Sequence, residues 1–306
     1  MLQRSIQSSE LDGQTRRSFL RASTGAVASM AALGTSGSVR GGKLGGDDGE
    51  YTAPAEFPLV STREQFTDDG KLKAEYTETE YETVGDWQSN RTNDDTELVI
   101  FVHGWSLGET DARDAAYTCQ IGLEANEYDQ FTVGFTWDAD MGDGIGWSEG
   151  VAIAEQNGPK LAQWVVDHND SGGLPVRILG HSLGAKVAVE TMASLHERER
   201  EDAVESIALL GGAIGDSVVE VDETYGESIK YATASFDNFH KDDDVVLGTA
   251  FSAAEWTEAV GEKGVQSPED APGNYADYDV TAAVADHNSY YEPGEGCLPA
   301  VVETFQ

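Results

Sequence analysis

The sequence predicts an α/β fold with a mostly parallel sheet covered by helices on both faces. Three observations predict it. Short apolar runs such as Leu98-Val99-Ile100-Phe101-Val102 show no polar alternation, so both of their faces are buried. Longer segments of helical period separate these runs. The two kinds alternate along the chain, as parallel strands joined by helical crossovers require. A length of 306 residues suits one large domain of this kind or two small ones.

Taken in order, residues 71–84 are polar with Tyr, Thr and Val, a weak signal for one or two edge strands. The run 98–102 is a buried strand ending in His103-Gly104. Residues 111–125 have helical character, and Phe131 to Trp137 form a second strand. Residues 148–167 place Val151, Ile153, Ala154, Leu161, Trp164 and Val165 on one side of a long helix. Pro175 to Leu179 are a third strand, and Ala185 to Arg200 a helix with Val187, Val189, Met192 and Leu195 inward. Glu205 to Leu210 are a fourth strand. Right-handed crossovers then set the functional loops at the carboxyl ends of the strands. No internal repeat is present.

The chain carries 19 basic and 56 acidic residues, a formal charge of −37, with only eight lysines. A pI near 4.2 argues against nucleic acid or an anionic membrane surface as partner. The acid is spread throughout, as in Asp94-Asp95 and Asp242-Asp243-Asp244, so one acidic cluster is more readily solvation than chemistry. Self-repulsion on this scale is screened at about 1 M salt, where the Debye length is roughly 3 Å, which is the composition of a salt-adapted protein. No apolar run long enough for a transmembrane helix occurs, so no such anchor is expected.

Near the start, Arg16-Arg17 with Phe19-Leu20 precedes a short stretch of small apolar residues, a pattern that resembles a twin-arginine export signal over residues 1–38. Its removal would leave 15 basic and 54 acidic residues, a charge of −39. The expected localisation is extracellular or at the cell surface. Residues 39–70 are acidic and Gly-rich at the start and read as a flexible lead-in to a domain over 71–306. Cys119 and Cys297 exclude a disulfide-rich scaffold; they are one disulfide or two buried thiols.

The sharpest motif is Gly180-His181-Ser182-Leu183-Gly184. The pattern Gly-x-Ser-x-Gly recurs at Gly146-Trp147-Ser148-Glu149-Gly150, so context must separate the two. Ser182 follows a strand and opens a helix, the strained turn that exposes a nucleophilic hydroxyl above a helix N-terminus. Ser148 follows loop composition and reads as a helix N-cap.

Gly180 to Ala185, with His103-Gly104-Trp105 at the end of an earlier strand, resembles the α/β-hydrolase superfamily, most closely its lipase and esterase branch. The resemblance covers roughly residues 96–292 and, with the acidity and the leader, suggests an exported protein of haloarchaeal type. It implies a Ser-acid-His order along the chain. His103, His168 and His181 precede Ser182, His196 lies within a helix, and His240 precedes most candidate acids, which leaves His287 as base. The implied acid follows a strand and precedes a Val/Leu pair. Asp244 matches best, with Asp242 and Asp243 as alternatives. The residues after Gly104 and after the nucleophile, Trp105 and Leu183, are implied as oxyanion donors, with His103, Gly104, Gly180, His181 and Gly184 supporting the two turns.

The implied function is a serine hydrolase of carboxylic esters, with a small-molecule ester or lipid as substrate and no cofactor or metal. Residues 248–275 are expected to form a small cap. The same groups serve acyl transfer, and an exported binding protein of this fold without turnover is the contrasting reading. Residues 138–149 partly echo a calcium loop, but Gly142 and Asp143 stand where a ligand and a glycine are needed. Trp147, Trp164 and Trp256 are expected to pack.

Overall fold

The computed structural model describes residues 51–140 and 146–305. The proposed leader over 1–38 lies outside the described residues. Eight strands form one sheet in the order β2-β1-β4-β3-β5-β6-β7-β8. They are β1 Leu59–Ser61, β2 Glu82–Val84, β3 Leu98–Val102, β4 Phe131–Thr136, β5 Val176–His181, β6 Val204–Leu210, β7 Thr233–His240 and β8 Tyr275–Asp279. β2 runs antiparallel to β1, and every other pairing is parallel. This is the α/β-hydrolase arrangement that the sequence predicts.

The absence of alternation in the strands is explained by two cores. Along β3, Leu98, Ile100 and Val102 face one cluster, while Val99 and Phe101 face the other. β6 divides in the same way, with Ile207 and Leu209 on the first side and Ala208 and Leu210 on the second. Each fully buried Val, Leu, Ile or Phe contributes about 1.5–3 kcal/mol relative to exposure. The first face is covered by α2 Trp147–Asp170, α3 Gly184–Glu197 and α4 Gly226–Ala232. The second is covered by α1 Glu109–Glu124 and the C-terminal helix Leu298–Thr304.

Several expectations shift. Within 39–70, Leu59–Ser61 is a strand inside the sheet, and Phe57 and Phe66 are buried core rather than lead-in. Within 71–84, only Glu82–Val84 is a strand. Residues 77–80 form a turn, whose Thr77 and Glu80 carbonyls accept from the buried Lys160 ammonium at 2.6 and 3.3 Å. Gly146, not Ser148, is the N-cap of α2. Trp147 and Trp164 are buried, whereas Trp256 is 71% exposed because its positive φ of 59° closes a short helix and turns the side chain outward. Cys119 and Cys297 are buried and reduced. Among the described residues, no helix is long and apolar enough to cross a membrane.

Candidate active site

β5 runs on past the apolar stretch through Gly180 and His181, and Ser182 then turns the chain into α3. Ser182 has φ +52°, the left-handed region that costs a non-glycine residue energy, so the surrounding contacts must hold it. Its N–H donates to the Leu210 carbonyl at 3.1 Å, and its carbonyl accepts from Ala185 and Ala213 at 3.0 Å each. Two glycines let the turn approach its neighbours. A Cβ on Gly184 would lie 2.3 Å from the Val102 carbonyl oxygen, and one on Gly104 would lie 2.9 Å from the Ser182 Cβ.

The loops after β7 and β8 bring the other groups to this turn. The Ser182 hydroxyl lies 2.9 Å from His287 Nε2. His287 Nδ1 lies 2.7 Å from Asp244 Oδ2. With the Nδ1–H donated to the carboxylate, Nε2 is left to accept the serine proton. Asp244 Oδ1 accepts the N–H groups of Val246 and Leu247 at 3.0 and 3.1 Å, and Tyr290 donates its hydroxyl to Oδ2 at 3.3 Å. Burial pushes the Asp244 carboxyl up, but the neighbouring His287 and these donors outweigh it and hold the group below the usual carboxylate range. Asp242 and Asp243 are exposed: Asp243 pairs with Lys241, and the Asp242 N–H donates to Thr281. The structure therefore places Asp244, of the triplet, against His287.

Four of the remaining five histidines bond elsewhere. His181 donates its Nε2–H to the His287 carbonyl at 2.8 Å, fastening the His287 backbone to the strand that carries Ser182. Burial, with the adjacent His287, pushes His181 down to about 3, so it stays neutral. His103 bonds the Gly104 carbonyl through Nδ1 at 2.8 Å, and burial followed by Arg63 holds it neutral as well. His168 bonds the Leu174 carbonyl and His196 meets the Ser228 hydroxyl, while His240 ends β7. Ser148 is exposed on α2 and donates to Glu149 at 2.9 Å.

Trp105 and Leu183 flank the serine, and among the described residues neither N–H donates to a backbone acceptor. Leu183 is the N-cap residue of α3, so its N–H belongs to the positive end of that helix. The loop carrying Trp105 is held by the Ser106 N–H on the Ala139 carbonyl at 3.1 Å and by Arg63 Nη2 on the Leu107 carbonyl at 2.8 Å. Arg63 also donates from Nε to the Thr136 hydroxyl at 2.8 Å. Sequence reasoning missed Arg63, the Tyr290 hydroxyl and the His181 bond. The one available signal was an isolated arginine in a chain with few cations.

Asp138 is spent on the N–H groups of Glu64 and Phe66 at 2.8 and 3.1 Å, which accounts for the first acid of the calcium-like stretch; positions 141–145 lie outside the described residues. Among the described residues, no group of three or more His, Cys, Asp or Glu is placed to hold a metal ion.

A family model matches residues 140–302, more than half of the chain. The chain belongs to DUF726, a family described as a protein of unknown function. Ser182, Leu183, Asp244 and His287 of this DUF726 chain fall within the matched residues, and Trp105 precedes them. No curated protein matches it. Among solved structures, the DUF726 chain is similar to the phospholipase PlaB from Legionella pneumophila, in complex with thio-NAD, at 17% identity and TM-score 0.32. That match covers 48% of this chain and 38% of the phospholipase, so the DUF726 chain spans well under half of that protein's length. A putative cell surface hydrolase from Lactobacillus plantarum matches at 10% identity and TM-score 0.35, over 63% of this chain and 84% of its own. The type II thioesterase YbtT of the yersiniabactin pathway matches at 12% identity and TM-score 0.33, over 70% and 92%.

Proposed function

We propose that this DUF726 chain is a serine hydrolase that cleaves carboxylic esters through an acyl-enzyme on Ser182. The observation that carries the reading is the unbroken hydrogen-bond chain from Asp244 through His287 to a serine hydroxyl on a strained strand-to-helix turn. Ser182 Oγ attacks the ester carbonyl carbon while His287 Nε2 takes its proton. Asp244 keeps the imidazole in the required tautomer and stabilises the imidazolium. The negative charge on the carbonyl oxygen is held by the N–H groups of Trp105 and Leu183. Collapse of the tetrahedral adduct breaks the bond to the alcohol, which leaves with the proton from His287. Water, activated by the same His287, then attacks the acyl-serine and releases the carboxylic acid. Nothing in this sequence of steps draws on a cofactor.

The same reading takes residues 1–38 as a twin-arginine leader and the protein as exported and salt-adapted. The Arg16-Arg17 pair and the charge of −37 support those parts.

The test is a fluorophosphonate probe applied to the folded protein in about 2–4 M salt, where its charges are screened. The expected result is an adduct on Ser182 by peptide mass spectrometry that is lost in Ser182→Ala and His287→Ala. A folded protein that takes up no probe, or takes it on Ser148, overturns the mechanism.

A further inference from the structure

Leu183 does two things at once. Its N–H lies beside the nucleophile, and its buried side chain forms one wall of a cavity of about 170 Å³. Other walls are Trp147 and Phe251, whose rings meet edge to face at 6.0 Å, together with Ile214 and Val218. An apolar cavity of about 150 Å³ accommodates a molecule the size of benzene. The cavity is lined by Leu183 and by Ala213, whose N–H donates to the Ser182 carbonyl at 3.0 Å, and it takes a group of about six carbons.

The polar groups on the walls are already engaged. Lys186 lies one helical turn beyond Leu183, and its ammonium has three donors. These meet Glu155 Oε1 at 2.9 Å, the Tyr225 hydroxyl at 2.9 Å and Glu190 Oε1 at 3.5 Å. Tyr225 donates its own hydroxyl hydrogen bond to Glu190. Glu255 accepts the indole N–H of Trp147. No donor on Lys186 is left over for an anionic ligand, and Glu255 opposes one. A carboxylate entering here would lose its hydration with no partner in return, a cost that salt does not screen.

We infer that this cavity receives the acyl chain, and that the substrates are esters of neutral, apolar acids of up to about six carbons. The inference rests on the hydrolase reading above and adds the substrate class to it. Each buried methylene raises kcat/KM about fourfold until the cavity is full. The gain then stops, because further carbons find no wall to pack against.

The experiment uses the full chain in about 2–4 M salt, with p-nitrophenyl esters from acetate to dodecanoate, so that only the acyl chain varies. Rising kcat/KM to about hexanoate, followed by a plateau or a fall, is the expected profile. In Val218→Phe, which fills the cavity, the hexanoate-to-acetate ratio of kcat/KM falls at least about tenfold, as the loss of two or more packed methylenes requires. The adipate half-ester, as long as hexanoate but ending in a carboxylate, is cleaved at least about tenfold more slowly than hexanoate. A rise that continues to dodecanoate, a flat profile, an unmoved ratio in Val218→Phe, or an adipate half-ester as good as hexanoate each overturns the assignment. Fluorophosphonate labelling of Ser182 alongside any of these shows that the cavity assignment alone has failed. Absence of labelling overturns the hydrolase reading and the cavity assignment with it.

Discussion

Replacing Asp244 by Asn separates the chemistry of the site from its stability. Asp244 Oδ1 accepts two backbone N–H groups, from Val246 and Leu247, at 3.0 and 3.1 Å. In Asp244→Asn the carboxamide oxygen must occupy that position, because its NH₂ there would face two donors. The NH₂ group is then directed at His287 Nδ1, which the native carboxylate contacts at 2.7 Å. Facing a donor, Nδ1 becomes the acceptor and the ring proton moves to Nε2. Nε2 then donates to Ser182 and no longer accepts its proton. A wrong tautomer of this kind lowers kcat by about 10⁴ in a Ser-His-Asp site, roughly 5.4 kcal/mol at 1.36 kcal/mol per tenfold. Both backbone donors stay satisfied, so Asp244→Asn loses only the carboxylate's charge contribution to stability. Asp244→Ala instead leaves the two N–H groups without their acceptor, at about 1–3 kcal/mol each where water does not replace it, and loses stability together with activity. The assay is kcat on a soluble p-nitrophenyl ester beside a urea titration of each variant. An Asp244→Asn protein within tenfold of the native rate refutes the tautomer argument.

Four further outcomes follow from the same contacts. His181→Phe removes the donor to the His287 carbonyl and is expected to lower kcat by about 10–10² through misplacement of the base, with partial recovery in His181→Gln; equal rates in both variants contradict a positioning role. The Asp244 carboxyl is held lower in the folded protein than in the unfolded chain, so its contribution to stability is full above the unfolded value of about 3.9 and is lost as pH falls through the folded one. Urea midpoints below about pH 4 should therefore decline more steeply in the native chain than in Asp244→Asn, and parallel curves would be the contrary result. Gly184→Ala places a Cβ 2.3 Å from a backbone oxygen of β3, so soluble yield and melting temperature drop together; a native-like melt contradicts the close approach. With a charge of −37, the melting temperature rises as NaCl increases from about 0.1 to 2 M, whereas a salt-independent melt argues against self-repulsion as the dominant surface term.

The central sheet was legible because its strands are buried on both faces. β3, β5 and β6 lie between two cores and need no polar face, so their apolar runs stand out from the acidic background. β1 was not legible, since three residues carry too little pattern to show a period. It is recognisable only through its register with β4, where Leu59, Val60 and Ser61 oppose Gly134, Phe135 and Thr136. The turn bearing Ser182 was legible from a strand, a Gly-x-Ser-x-Gly and a helix in succession. The choice within Asp242-Asp243-Asp244 was not, because three identical side chains in an acid-rich chain offer no contrast. Burial supplies it: Asp244 is 2% exposed beside two exposed neighbours. The outward turn of Trp256 depends on a positive φ that no local residue type announces.

The scarcity of cations carries more information than the excess of acid. On a surface screened by high salt an exposed Lys or Arg is dispensable, because its pairing contributes little. A buried one is different, since removing it strands the acceptors it satisfies. Arg177, on β5, forms a two-pronged pair with Glu97, with both distances 2.7 Å. Lys160 pins the 77–80 turn to α2, and Lys186 closes the cavity wall against Glu155, Glu190 and Tyr225. Arg63 belongs to this group. Its bonds to the Leu107 carbonyl and the Thr136 hydroxyl tie the loop that presents Trp105 to the end of β4. Exposed cations do persist, among them Lys71 and Arg200, and each pairs with a nearby carboxylate at the surface. What separates the two groups is therefore the burial of the cation rather than the presence of a partner. By that criterion Arg63, and not any member of the acidic clusters, is the charged residue outside Ser182, Asp244 and His287 on which the geometry of the loop presenting Trp105 most depends.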